Sequence, residues 1–320
     1  MRAAVSARYG TPDVVEIRQV PKPVPKAREV LVAVHAAAVG RTDSGMLGPH
    51  PRVLGRLMIG LLRPPRILGM DFAGEVEAVG KDVTAFKPGD RVFGMLRPRE
   101  LGAHADYVCV PEDGYIATIP AGLPFEQAVV CEGAFYALGC LAKLDLDAGD
   151  EVLIYGASGA IGTAAVQLAR SGGARVTAVV DTRHLELAGS LGAERVIDYT
   201  KGDFTRGGEK FDGLLDAVGK TTYLRCRRLL KPQAMFVGTD MGPWGQTLLL
   251  TIWSAITRRG RVTVPFPRPM PGFADLLKAR MEAGEFRAVI DRRYPLEAIA
   301  DAYRYVETGQ KTGIVVINVI

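Results

Sequence analysis

The stretch EVLIYGASGAIG, from Glu151 to Gly162, decides the fold. Its first five residues are an apolar run of β-formers behind the turn signal Asp147-Ala148-Gly149-Asp150, which predicts a buried parallel strand. Gly156, Gly159 and Gly162 follow at three-residue intervals, and residues 163–170, TAAVQLAR, are good helix formers. The change from strand to helix therefore falls inside the glycines. A helix starting there turns free N–H groups toward an anion, the position of a dinucleotide pyrophosphate in a doubly wound sheet. Glycine permits the tight turn, the close approach of the phosphate and the close helix–strand contact. The spacing is G-x-x-G-x-x-G rather than G-x-G-x-x-G, so a glycine-rich βα turn with no ligand is the competing reading. The next strand, RVTAVV at residues 175–180, favours the nucleotide. It ends in Asp181, Thr182 and Arg183, about 20 residues past the glycines, where an adenosine ribose is read.

Outward from this unit, the pattern alternates strand and helix. Candidate strands cover residues 151–155, 175–180, 194–198, 213–218, 234–238 and 261–265, a six-stranded doubly wound parallel α/β sheet. Upstream, short strands at residues 30–34, 72–79, 91–94 and 107–110 are separated by Gly/Pro turns such as Phe86-Lys87-Pro88-Gly89-Asp90. They predict a compact barrel-like β domain. Pro120 and Pro124 flank a transition to a helical apolar pattern at residues 126–144. Downstream, helices at 273–282 and 298–308 precede a strand at 312–319, and this tail is expected to return to the first domain. The expected division is thus a substrate domain over 1–122, a dinucleotide domain over 123–265 and a return segment over 266–320.

The 320 residues suffice for two domains and a large core. A hydrophobic content of 48% with 23% charged residues fits a soluble globular protein. The net charge of +5 is mild, and without a Lys/Arg run or interleaved aromatics it is no nucleic-acid footprint. Cys109, Cys131, Cys140 and Cys226 lack C-x-x-C spacing and are expected to be free core thiols in a reducing cytoplasm. Met1-Arg2 leads directly into Ala3-Ala4-Val5 with no secretory apolar region, and no apolar run approaches ~18 residues, so no membrane span is expected.

A family resemblance rests on motifs spread along the chain: P-x-P at Pro21 and Pro23, GMDFAG from Gly69, AVG from Ala78, and KPGDRVFG from Lys87. They continue with GAHADYV from Gly102, the glycine motif itself, LGAERVIDY from Leu191, DAVG from Asp216 and GQKTG from Gly309. In number and order they resemble the medium-chain dehydrogenases/reductases, in the zinc-free branch of quinone oxidoreductases and zeta-crystallin. The resemblance implies a GroES-like β-barrel domain beside the Rossmann sheet and a homodimer, with contact near residues 261–265. It also implies a dinucleotide site at Gly156, Ser158, Gly159, Ala160, Ile161, Gly162, Asp181, Thr182, Arg183, Tyr199, Val218 and Gly238.

The departures bear on the chemistry. Where the zinc-dependent alcohol dehydrogenases hold their catalytic metal, motif matching places Gly40, Met70 and Glu132. Glycine offers no ligand, methionine is a poor one for Zn²⁺, and one glutamate cannot hold the ion alone. The four-cysteine zinc lobe is missing, and His35, His50, His104 and His184 show no metal spacing. No metal is expected, and each histidine is expected to be a surface or satisfied core residue. Without a Lewis acid, worth several kcal/mol on a carbonyl, a hydride acceptor has to be electrophilic already. This points to a small apolar electrophile, a quinone or an α,β-unsaturated carbonyl, reduced by NAD(P)H.

The segment Gly40-Arg41-Thr42-Asp43 resembles the alcohol dehydrogenase C-R-T-D, so Thr42 stands where a hydroxyl passes protons to the substrate oxygen. The alternative for Thr42 is a turn residue bonding its own backbone. The Asn amide that zinc-free relatives often carry at position 40 is absent. Tyr136 and Tyr107 are further hydroxyls, for which packing is the competing role. Asp181 favours NAD(H) by accepting from a ribose hydroxyl. Arg183 favours NADP(H) by clamping a 2′-phosphate, with Lys201 adding charge. The balance leans to NADP(H), with NAD(H) open. Two apolar stretches, residues 54–62 and 247–256, read as a buried helix or subunit interface, or as the mouth of a cleft for a bulky substrate. Two other functions stay open: a metal-free alcohol or aldehyde dehydrogenase working through Thr42, and a non-catalytic NADPH-binding protein.

Overall fold

A computed structural model describes residues 1–47, 67–97, 100–242, 245–257, 261–265 and 268–320. His50 and the apolar stretch 54–62 lie outside the described residues, as do Arg258 and Arg259. The chain divides into two compact units, Met1–Glu132 with Met270–Ile320, and Gly133–Pro269.

The first unit opens with the antiparallel pair β1 (Arg2–Ser6) and β2 (Val15–Gln19). The long strand β3 (Glu29–Val39) follows, then helix α1 (Arg41–Leu47) and strands β4 (Asp71–Val79), β5 (Arg91–Met95), β6 (Tyr107–Pro111) and β7 (Tyr115–Thr118). Helix α2 (Cys131–Leu144) begins in this unit and runs into the second.

The second unit alternates β8 (Glu151–Tyr155), α3 (Ala160–Ser171), β9 (Arg175–Val180), α4 (Leu185–Ser190) and β10 (Arg195–Asp198). It continues with β11 (Phe211–Asp216), α5 (Tyr223–Cys226), β12 (Leu230–Gly238), α6 (Gln246–Thr257) and β13 (Val262–Thr263). The chain then rejoins the first unit through α7 (Phe273–Glu282), β14 (Ile290–Pro295), α8 (Ile299–Glu307) and β15 (Ile314–Asn318).

The second unit is the doubly wound sheet. Its order is β10-β9-β8-β11-β12-β13, every neighbouring pair parallel. Val152, Leu153 and Ile154 on β8 are fully buried, as a central parallel strand covered on both faces requires. The strand expected at 213–218 lies two residues earlier. The Asp216 carboxylate, accepting from the N–H groups of Val218 (3.1 Å), Gly219 (2.8 Å) and Thr221 (2.9 Å), closes a turn there instead. β12 starts at Leu230, ahead of the expected 234, and its pairing with β11 shifts register past Phe211.

In the first unit β3 organises the sheet. β4 pairs with it from Val30 to Ala37, while on its other edge β6 pairs with Glu29–Ala33 and β15 with Ala36–Val39, all antiparallel. Register shifts after Leu31 and Val34 bend it sharply, as bulges do. The returning helix α8 buries Ile299, Ala302, Tyr303 and Val306, an i, i+3, i+4, i+7 stripe. Those residues join Val30, Val32, Phe72, Val92 and Val315 in one core. The stretch Phe125–Leu144 is long and apolar enough by composition to cross a membrane, a run the sequence reading passed over. Within it Cys131, Ala134, Ala137 and Cys140 are at most 1% exposed, the buried stripe of a core helix. Helix α6 differs from the expected buried helix: it exposes Leu249, Ile252, Trp253 and Ile256.

Candidate functional site

In the second unit the glycine turn is built as its sequence demands. Gly156 leaves β8 at φ +79°, a conformation that disfavours any side chain, and a Cβ there would meet Val218 at 2.6 Å. A Cβ on Gly162 would fall 2.1 Å from the Gly156 carbonyl oxygen, so α3 can approach the strand only without one. Gly159 differs. It is the N-cap of α3 with no side-chain cap bond, and a Cβ there meets nothing closer than 3.9 Å. The start of α3 is thus a short cradle with open space in front of it, edged by Ser158, Ala160 and Ile161. Such a cradle suits a diphosphate.

Asp181, Tyr199, Val218 and Gly238 all lie at the carboxyl ends of β9, β10, β11 and β12, beside the β8–β11 switch point of the sheet. That edge is where open α/β sheets take ligands. Tyr199 is exposed and stands edge-on to Tyr155, with centroids 6.1 Å apart.

Asp181 is already engaged. It accepts from the Arg183 backbone N–H (3.1 Å), from the Arg183 guanidinium (2.7 Å) and from His184 Nδ1 (2.5 Å). Burial alone would raise its carboxyl, but the bonds from Arg183 and His184 outweigh that and hold it below its ordinary value. Arg183 remains largely exposed. Thr182 turns away from this group and donates to Asp198 at 2.6 Å.

In the first unit a cluster of acids, Asp43, Asp71 and Glu132, surrounds the positions matched to metal ligands. The Glu132 carboxylate folds over Gly40: a Cβ on Gly40 would fall 1.9 Å from Oε2. The space of a residue-40 side chain is thus filled by Glu132. The hydroxyl and the backbone N–H of Thr42 face this carboxylate and favour its charge.

Asp43, 1% exposed, accepts from Gly40 N–H at 2.9 Å, and its Oδ1 has no hydrogen-bond partner. Asp71, 2% exposed, caps α2 by accepting from the Glu132 N–H at 2.9 and 3.0 Å. The half-buried Lys311 supplies positive charge and donates to the Gly313 carbonyl at 2.5 Å.

Burial, then the Asp43 charge, pushes Glu132 up to about 7, against the pull of Thr42 and Lys311. Burial likewise pushes Asp43 up to about 7 and Asp71 well above its ordinary value. Lys311 is lowered to about 8 by burial. Three crowded carboxyls beside one ammonium are thus all held above their ordinary values. Among the described residues no group of three His, Cys, Asp or Glu side chains is arranged to hold a metal ion.

His104 sits beneath the cluster. Its Nε2 donates to the Ala38 carbonyl at 2.9 Å, and its Nδ1 accepts from the Tyr303 hydroxyl at 3.2 Å. Burial lowers it to about 4, so it is neutral. Of the two tyrosines, Tyr107 carries Lys22 over its ring at 3.7 Å. Tyr136, half-buried and edge-on to Phe135, belongs to the second unit, whereas Thr42 belongs to the first. Sequence reasoning singled out Glu132 only as a failed ligand, and missed Asp43, Asp71 and Lys311. The signal was the pairing of two departures, a side chain lost at 40 and an acid gained at 132.

Two family models match the chain: the alcohol dehydrogenase GroES-like domain over residues 26–121 and a zinc-binding dehydrogenase over 191–317. Over its full length the chain is 32% identical to the 2-methylene-furan-3-one reductase of Solanum lycopersicum, covering 79% of that protein. It is 30% identical, over 99% of its length and 79% of the relative's, to the chloroplastic NADPH-dependent alkenal/one oxidoreductase of Arabidopsis thaliana. Among solved structures, the quinone oxidoreductase from Coxiella burnetii matches with a TM-score of 0.87 at 28% identity, covering 100% of this chain and 99% of that one.

Proposed function

The chain belongs to the medium-chain dehydrogenases/reductases, in the quinone oxidoreductase branch, and on that premise we propose that it reduces quinones or α,β-unsaturated carbonyls with a nicotinamide dinucleotide. The observation that carries the reading is the cradle at the start of α3. Gly156 and Gly162 let helix and strand close on each other, while Gly159 leaves the helix terminus open to a diphosphate. The bound dinucleotide supplies the hydride. Gly156, Ser158, Gly159, Ala160, Ile161 and Gly162 hold its phosphates, and Asp181, Thr182, Arg183, Tyr199, Val218 and Gly238 border its adenosine and ribose portions.

NADP(H) is the preferred cofactor. Arg183 already offsets the Asp181 charge, and His184 bonds the same carboxylate, so it repels a 2′-phosphate less than a free one would. The exposed Arg183 guanidinium is the group to pair with it. Calorimetric titration with NADPH and NADH tests this. NADPH binding about tenfold tighter, ~1.4 kcal/mol, is expected, and tighter NADH binding overturns the preference.

Thr42, whose hydroxyl faces the Glu132 carboxyl, relays the proton to the substrate oxygen, with Tyr136 as the second candidate hydroxyl. The reaction proceeds without a metal, since a quinone or enone delocalises the added electrons onto its own oxygen. Elemental analysis of untagged protein checks this: no stoichiometric zinc is expected, and one zinc per chain refutes it.

A further inference from the structure

We propose that Glu132 is the proton reservoir behind Thr42, holding over Gly40 the proton that Thr42 passes to the oxygen of the reduced substrate. The inference rests on the function proposed above and names a residue for its second half-step. Four observations carry it. The Glu132 carboxyl fills the volume over Gly40, with Oε2 1.9 Å from the position of an added Cβ. The hydroxyl and backbone N–H of Thr42 face it and favour its ionised form. Asp43 lies beneath it with one oxygen unpartnered, so this pocket holds more acid than its hydrogen bonds satisfy. Glu132 is half-buried, whereas Asp43 and Asp71 are at most 2% exposed, so of the three acids it is the nearest to solvent.

The groups facing Glu132 set its charge. Asp43 on α1 and Asp71 on β4 oppose ionisation, Thr42 and Lys311 favour it, and His104 and Tyr303 beneath are neutral. The result is a carboxyl that titrates near neutral pH, the range in which a general acid works best.

Hydride addition leaves the electron pair of the reduced C=C or quinone system on the substrate oxygen as an enolate or hydroquinone anion. The Thr42 O–H bond breaks and the substrate O–H bond forms. The Glu132 O–H bond breaks and the Thr42 O–H bond re-forms. The Glu132 carboxylate then takes a proton from water. With Glu132 ionised, Thr42 donates back to it, and the hydroxyl no longer points a spare proton at the substrate.

The test compares wild type, E132Q and Gly40→Ala in NADPH oxidation with an enone and a quinone across pH, together with infrared spectra of the cofactor-free proteins. Wild-type turnover is expected to fall as pH rises through about 7. E132Q is expected to be ~100-fold slower with that pH dependence gone. Gly40→Ala, which forces the carboxyl out of its seat, is expected to lose the same dependence while keeping a native circular dichroism spectrum. In the infrared, a protonated carboxyl band absent from E132Q is expected to vanish from wild type near the same pH. An E132Q enzyme with wild-type rate and pH profile, or a Glu132 band already lost in mild acid, overturns the relay alone. A wild type that oxidises no NADPH with either the enone or the quinone overturns the proposed function, and the relay with it.

Discussion

At the scale of single residues, the glycines and the buried acids make opposite demands on their surroundings. Gly162 is glycine because of packing: a Cβ 2.1 Å from the Gly156 carbonyl pushes α3 off β8. Gly159 is open, so its lack of a side chain serves whatever approaches the helix end. The two therefore separate stability from binding. Gly162→Ala is expected to lower unfolding stability by about 1–3 kcal/mol in urea. Gly159→Ala is expected to leave the urea midpoint nearly unchanged while weakening NADPH binding, and equal losses of stability in the two would contradict this. The acids add a pH dependence. Glu132 titrates at an ordinary value of 4.5 when unfolded and at about 7 when folded, so between those values the folded chain holds a proton that the unfolded chain releases. Its contribution to stability thus falls as pH rises from about 4.5 to about 7 and is flat above. His104, lowered from 6.5 to about 4, contributes the opposite slope over much of the same range, so the difference between proteins is the clean observable. E132Q is expected to gain on wild type by ~1–2 kcal/mol from pH 5 to pH 8 in parallel denaturation curves.

At the scale of elements, legibility followed periodicity. β8 and β9 fell at their expected limits because buried parallel strands are continuous apolar runs with glycine or turn residues at each end. The limits of β11 and β12 slipped because side-chain chemistry set them: Asp216 caps a turn inside what composition alone extends as strand. The acid cluster was illegible for a different reason. Thr42 and Asp43 on α1, Asp71 on β4, Glu132 on α2 and Lys311 before β15 come from four separate places in the chain, and no local pattern announces that they meet. Only Gly40, by leaving room, hinted at a neighbour. Among the described residues α6 carries the largest group of exposed apolar side chains, with Leu249 at 65% and Ile256 at 77%. Replacing either with Lys is expected to change monomer stability by less than ~0.5 kcal/mol, because neither side chain is removed from water on folding. A loss above ~2 kcal/mol in chemical denaturation would contradict the described exposure.

At the scale of the whole molecule, the fold was the most legible level and the chemistry the least. The doubly wound sheet and the β-rich unit follow from patterning and from turns. The return of the tail to the first unit follows from a strand left over once the nucleotide sheet is complete, whereas its partner there, β3, was not legible. Substrate class rests on a chain of inference: electron-deficient acceptors need no Lewis acid, and the positions that hold one in the alcohol dehydrogenases carry Gly40, Met70 and a Glu132 turned to other use. That chain is tested most directly by following NADPH oxidation by chelator-treated protein against a panel of quinones, enones and simple alcohols or aldehydes. Acceptor-dependent oxidation with quinones or enones, one NADPH per acceptor reduced and undiminished by the chelator, is the predicted result. No oxidation with any of them, or activity that appears only when zinc is restored, would contradict it.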